Sequence, residues 1–268
     1  MKSRRIVAVL LLQDGWLVQS KFFNRYLRIG NPVDAVKRLS EWGADELIYL
    51  DISKSEFNQN FRSDIKSDHQ ISITELLNVV SQFAFMPMTV GGGIKSLQDI
   101  EKRLSSGADK VSINSEGIIN PKFIADAVNE FGSQCIVASV DYLRDDEKYY
   151  VYDHKNRKPF DIDLYDLIGR YENLGVGELF INSVEKDGSK MGMDVDLIGK
   201  IVNSINIPVI ACGGIGNWEH FEEVLNKTNV DAIAAANIFH HVDQSVYLAK
   251  DYLFKNGFNI RPPELIQI

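Results

Sequence analysis

The chain has 268 residues, of which 45% are hydrophobic and 25% charged, with a formal net charge of −8. That length is long for an ordinary domain and normal for one α/β barrel. The acidic balance, with no basic stretch interleaved with aromatics, argues against a nucleic-acid partner. No apolar run approaches the roughly 18 residues of a membrane span.

The opening run, Ile6-Val7-Ala8-Val9-Leu10-Leu11-Leu12, faintly resembles a leader, but Gln13-Asp14-Gly15 ends it without a small-residue cleavage site. A buried strand is the better reading. Seven more apolar runs follow it, so that strands are expected at 6–11, 47–51, 88–90, 110–113, 135–141, 179–183, 209–211 and 232–236. Helical patterns fill the intervals at 32–42, 74–83, 96–106, 121–131, 164–174, 196–202 and 218–225, and a final helix is expected at 242–256. Near-continuous apolar strands alternating with amphipathic helices indicate a parallel sheet covered on both faces. Closed on itself, such a sheet is a (β/α)8 TIM barrel; a doubly wound open sheet is the alternative. One polar segment, 53–71, breaks the rhythm and reads as a long loop at the end where active-site loops lie.

Two glycine runs stand about 120 residues apart, Val90-Gly91-Gly92-Gly93-Ile94 and Ala211-Cys212-Gly213-Gly214-Ile215. Each closes a strand, opens a helix and is followed by a second strand ending at Asn114-Ser115 or Ala236-Asn237. The period is too long for a solenoid. It fits one barrel of two duplicated halves, about 1–131 and 132–268. Glycines at such strand ends let a phosphate approach backbone N–H groups. A lone Gly-Gly fits a tight turn equally well; two in the same context imply two anion sites, and so an elongated ligand with phosphate at both ends or two phosphorylated pieces.

Asp141 closes a strongly hydrophobic strand, which puts its carboxylate at the mouth. General acid–base catalysis is one reading, and a structural carboxylate bonded to loop amides is the other. The loop from Glu185 to Gly192 adds charge and backbone donors nearby. Arg5, Glu46, Lys110 and Glu178 stand at the opposite end with alternating signs, either as a stabilising ring or as a gate across the axis. The five histidines lack metal-ligand spacing, His240-His241 lying on opposite sides of the chain or at a helix start; no metal and no cofactor is expected. Cys135 and Cys212 read as buried thiols of a reducing cytosol, hence a cytoplasmic protein.

Taken together these residues resemble the cyclase subunit (HisF) family of imidazole glycerol phosphate synthase, from histidine biosynthesis. The likeness runs nearly end to end, through Asn31-Pro32, Gly43-Ala44-Asp45-Glu46-Leu47, Thr89-Val90-Gly91-Gly92-Gly93-Ile94, Gly107-Ala108-Asp109-Lys110-Val111-Ser112-Ile113-Asn114, Phe131-Gly132-Ser133-Gln134, Asp187-Gly188 and Glu219-His220-Phe221. The resemblance implies a bisphosphate held by Gly93, Asn114 and Ser115 at one end and by Gly188, Gly214, Ala236 and Asn237 at the other, with Gly92 and Gly213 in the same turns. It also implies a heterodimer with a glutaminase of the HisH type, docked beneath the barrel near Asp109 and sending ammonia through the gate of Arg5, Glu46, Lys110 and Glu178.

The family's lyase chemistry uses two aspartates. Asp141 matches the second, but the first falls on Leu11, and the Lys-Gly of the mobile first loop reads Gln19-Ser20 here. A leucine cannot transfer a proton. The combination implies a divergent paralogue of the type associated with amidation of bacterial surface sugars, in which a separate amidotransferase acts on the sugar. A working cyclase in histidine synthesis with a substitute for the missing carboxylate, and a non-catalytic activator of the glutaminase, are the competing readings.

Overall fold

The structure, a computed structural model, describes residues 3–53, 73–146 and 148–267. The expected loop at 53–71 lies outside the described residues except for Ser53. Eight parallel strands form the barrel: β1 (Arg5–Gln13), β4 (Glu46–Asp51), β5 (Met88–Gly91), β6 (Lys110–Ile113), β7 (Ile136–Asp145), β10 (Glu178–Ser183), β11 (Val209–Cys212) and β12 (Ala232–Ala235). Each pairs with the next, and β12 pairs back with β1. The last pairing removes both sheet edges, so the open doubly wound alternative fails and the TIM barrel stands.

Helices α1 (Pro32–Glu41), α2 (Ile73–Val80), α3 (Leu97–Ser105), α5 (Pro121–Phe131), α6 (Leu164–Asn173), α7 (Val195–Ser204), α8 (Trp218–Lys227) and α10 (Ser245–Lys255) carry the intervals, with short α4 (Ser115–Ile119) and α9 (Ile238–His241) at two strand ends. Local chemistry sets their starts. Asn31 accepts from the Val33 N–H ahead of Pro32, whose fixed φ suits a first helical turn. Ser96 and Asp99 form a reciprocal capping box, and Asn217 caps α8.

Period-two alternation divides each strand between two cores. On β1, Ile6, Ala8, Leu10 and Leu12 join the layer between barrel and helices, while Val7, Val9 and Leu11 belong to the cluster inside the barrel. On β7, Ile136, Ala138, Val140 and Tyr142 point outward. Val137 therefore begins an inward row that ends on Asp141. Arg5, Glu46, Lys110 and Glu178 start the inward rows of β1, β4, β6 and β10. The same alternation thus produces the charged ring at one end and Leu11, Asn114 and Asp141 at the other.

Two features differ from the sequence expectation. Asp14-Gly15, with φ of 52° and 77°, is a two-residue turn joining β1 to β2 (Trp16–Lys21), which pairs in turn with β3 (Arg25–Gly30). Aspartate followed by glycine between hydrophobic runs is the hairpin signature, because both central residues need positive φ. Gln19 and Ser20 therefore lie in strand β2, not in a mobile loop. A second hairpin, β8 (Lys148–Asp153) and β9 (Lys158–Asp163), extends β7 in the same way. The last expected helix is also broken: His240-His241 end α9 instead of opening a helix, and α10 starts only at Ser245. Burial lowers the pKa of His240 to about 4.

Candidate functional site

Every sequence-predicted mouth residue lies at the C-terminal end of a barrel strand. Gly92 and Gly93 follow β5, Asn114 and Ser115 link β6 to α4, and Gly188 lies in the loop after β10. Gly213 and Gly214 follow β11, and Ala236 and Asn237 link β12 to α9. Gly92 and Gly213 sit at φ +102° and +104°, and a Cβ on Gly92 would lie 2.0 Å from the Asp51 carbonyl oxygen. Only glycine fits such a turn. We expect Gly92→Ala to lower stability by about 1–3 kcal/mol, read as a shifted urea midpoint at unchanged slope.

Asp141 is 5% exposed and lies at the inner wall of this mouth. Its Oδ2 accepts a 2.6 Å hydrogen bond from Asn114 Nδ2, whose amide also approaches Ser139 Oγ at 3.4 Å. The same Oδ2 accepts from His154 Nε2, a residue that sequence reasoning passes over. Burial alone would lower the imidazole pKa, but Asp141 and, more weakly, Asp153 outweigh it and hold it above 6.5. The His154–Asp141 ion pair therefore contributes fully to stability below that value and fades as pH rises through the raised pKa.

The two hairpins meet above this pair. Phe23, in the turn between β2 and β3, stacks on the His154 ring at 5.3 Å and 22°, and Tyr152 meets its edge at 5.1 Å. Asp187 anchors the first hairpin: its Oδ2 accepts from Ser20 Oγ at 2.5 Å and from the Phe23 N–H at 3.1 Å, and its carbonyl accepts from the Phe22 N–H. Desolvation holds the Asp187 pKa above the ordinary carboxylate range. Asn237 Nδ2 donates to the Ser20 carbonyl at 2.8 Å. Ser20, Asp187 and Asn237, from three separate parts of the chain, are thus gathered at one side of the mouth.

At the other end of the barrel the four ring residues close on one another. Arg5 Nη1 reaches Glu46 at 2.5 Å and Nη2 reaches Glu178 at 2.5 Å, while Lys110 Nζ bridges the same carboxylates at 3.3 and 2.7 Å. Burial works against the charged Arg5, yet Glu178 and Glu46 raise its pKa above the ordinary value. Asp109 ties two neighbouring strands together, its Oδ2 accepting from the Met88 N–H at 2.7 Å. Asp45 and Asp231 accept from the Ile6 and Val209 N–H groups in the same way. Among the described residues no group of three or more His, Cys, Asp or Glu could hold a metal ion, and no helix is long and apolar enough to cross a membrane.

Residues 5–245 match the family model described as histidine biosynthesis protein. The chain belongs to that family. Within it, the chain is 40% identical over 263 residues to imidazole glycerol phosphate synthase subunit HisF of Staphylococcus epidermidis and of Staphylococcus aureus, and 37% identical over 262 residues to that of Streptococcus mutans. Each alignment covers 97% of this chain and 100% of the relative.

Against this histidine biosynthesis family, Leu11 occupies the mouth end of β1, four strands round the barrel from Asp141 on β7 in either direction. Its side chain packs against the cluster inside the barrel to which Val7, Val9 and Cys212 belong. The position therefore faces the site without carrying a proton-transfer group. His154 escapes sequence reasoning because nothing in its spacing marks it, and Ser20 enters only as the residue in place of the family's loop glycine; the meeting of two hairpins, about 130 residues apart along the chain, brings Phe23 onto His154, and Asp187 holds Ser20 at the mouth.

Proposed function

We propose that the chain is the ammonia-receiving subunit of a glutamine amidotransferase complex in the cytoplasm. A glutaminase of the HisH type docks at the N-terminal face around Asp109, and ammonia passes the ring of Arg5, Glu46, Lys110 and Glu178. The inward side chains between that ring and the mouth are small on several strands, with Thr89, Gly91, Ser112, Ala232 and Ala234 along the path, which suits transit of a small neutral molecule. A phosphorylated ligand lies across the mouth, bound through Gly92, Gly93, Asn114 and Ser115 on one side and Gly188, Gly213, Gly214, Ala236 and Asn237 on the other. Two equivalent half-barrels account for this pairing. Glu46 and Glu178 start corresponding strands, and both halves extend their first strand into a hairpin.

The observation that carries the finer reading is Leu11 opposite Asp141 above a complete ring. Delivery is intact while one half of the acid–base pair is gone. The final acceptor is then a surface sugar, amidated by a separate enzyme, and ring formation is lost or slow. The test is steady-state cyclisation of the imidazole glycerol phosphate synthase substrate with added ammonia. We expect turnover at least about 10²-fold below a HisF relative, the ordinary scale of one acid–base group. Turnover within tenfold of the relative would overturn the reading in favour of a working cyclase in histidine synthesis. The specific observation on that side is His154, a second titratable group already bonded to Asp141. A purely activating role is separated by Asp141→Asn: unchanged glutaminase stimulation and unchanged ammonia delivery would leave Asp141 without a catalytic role.

A further inference from the structure

His154 is a titratable group of the mouth that the ring, the glycine turns and the family's aspartate positions do not use. His154 Nε2 is committed to Asp141 Oδ2, and its Nδ1 makes no hydrogen bond to any described residue. The side chain is 38% exposed, although Phe23 covers one face of the ring and Tyr152 meets its edge. The carboxylate behind it is only 7% exposed and is fixed by Asn114. A buried carboxylate bonded to one imidazole nitrogen fixes the tautomer and orientation, and leaves the other nitrogen to handle protons; this is the logic of the hydrolase triads.

We propose that His154 is the second proton-transfer residue of the mouth, acting through Nδ1 on a carbonyl-bearing phosphorylated ligand, with Asp141 as its positioning partner. The proposal rests on the reading that ammonia reaches the mouth. It moves both proton-transfer groups to one side of the barrel, in place of two carboxylates facing each other from β1 and β7. A single-sided pair suits addition of ammonia to a carbonyl. The nitrogen lone pair forms the C–N bond, and the carbonyl π pair moves onto oxygen, which takes the proton from Nδ1. The neutral ring then takes a proton from the new ammonium nitrogen, giving a carbinolamine. Returning that proton to the hydroxyl expels water as the nitrogen lone pair closes the C=N bond, and the resulting iminium gives one N–H proton back to the ring; the imine is left, the ring ends as it began and no oxidant is needed.

The protonation state of the pair gives the test its signature. The charged groups around His154 are Asp141 on β7, Asp153 on its own hairpin and, beyond Asp141, Asp187 in the loop after β10. All three are carboxylates, which favour the imidazolium needed to donate to the carbonyl oxygen. The rate per free ammonia should therefore fall on the alkaline side as His154 loses its proton.

The experiment uses the full chain, the bisphosphate substrate of imidazole glycerol phosphate synthase, 15N-ammonium and cyanoborohydride to trap the imine, with labelled amine counted by mass spectrometry across pH. Wild type should exceed the protein-free rate, with an alkaline limb above pH 6.5. His154→Gln should lower the maximal rate by about 10²-fold with KM little changed, and should remove the limb. Asp141→Asn should keep the limb but move it to lower pH. Any of three results overturns the proposal: a wild-type rate at background, a His154→Gln rate within threefold of wild type, or a His154→Gln defect confined to KM, which marks a hairpin strut. Thermal melts of the variants exclude misfolding. Glutaminase stimulation by the wild-type chain, measured alongside, reports separately on docking of the partner, without which no ammonia is delivered. Its absence would sink the delivery reading, whereas its presence with no trapped amine would sink only the role of His154.

Discussion

Replacing Leu11 by Asp together with Gln19 by Lys should raise ammonia-dependent ring formation by about 10²-fold or more, the contribution expected of a restored acid–base group. The site is suited to the change. Leu11 ends the inward row Arg5, Val7, Val9 and Leu11, half-buried at the mouth and not sealed in the core. A carboxylate there would keep contact with water, so its desolvation cost stays well below that of a buried charge. It would also face Asp141 from the opposite side of the barrel, giving proton transfer on both faces of a bound ligand. Gln19, half-buried in β2, lies on the hairpin whose tip reaches His154. Steady-state turnover of the double variant against wild type is the measurement. No recovery would mean that the missing chemistry lies in another part of the mouth.

The barrel is legible in the sequence because its physics is local. Eight apolar runs, each bounded by turn residues and separated by amphipathic patterns, leave few ways to bury every strand on both faces. The alternation of Arg5, Val7, Val9 and Leu11 is also enough to say that ring and mouth belong to one interior. The hairpins are hidden for a different reason. Asp14-Gly15 looks like the end of a hydrophobic run, whereas it is a turn that sends the chain back along β1. Once β2 and β3 are in place, Ser20 reaches Asp187 and Phe23 reaches His154. A lone histidine carries no spacing signal; its meaning arises from a contact made 13 residues away in sequence by a strand bending back on itself. Asp109 is the opposite case. Its position suggests docking alone, whereas the Met88 N–H it accepts gives it a structural role that any partner contact must share.

Removing Arg5 should have the largest effect on stability. Its two guanidinium nitrogens each hold a different glutamate, at 2.5 Å, and the glutamate side chains are only 8% and 9% exposed. In Arg5→Met both carboxylates would be left to Lys110, whose contact with Glu46 is already the longer at 3.3 Å. Breaking a buried pair from one side typically costs about 3–5 kcal/mol, because the remaining charge stays desolvated. The partial exposure of Arg5, 24%, argues for the lower end, about 3 kcal/mol, measurable as a lowered denaturation midpoint. Arg5→Lys keeps the charge but not the fork, so one ammonium must choose between two glutamates; its loss should fall between wild type and Arg5→Met. Gating adds a second expectation that stability alone does not. In the complex with a glutaminase, less ammonia should arrive at the mouth per glutamine hydrolysed in Arg5→Met, while activity with added ammonia stays near wild type. A lowered midpoint with unchanged coupling would leave the ring as a stabilising device and remove the gate.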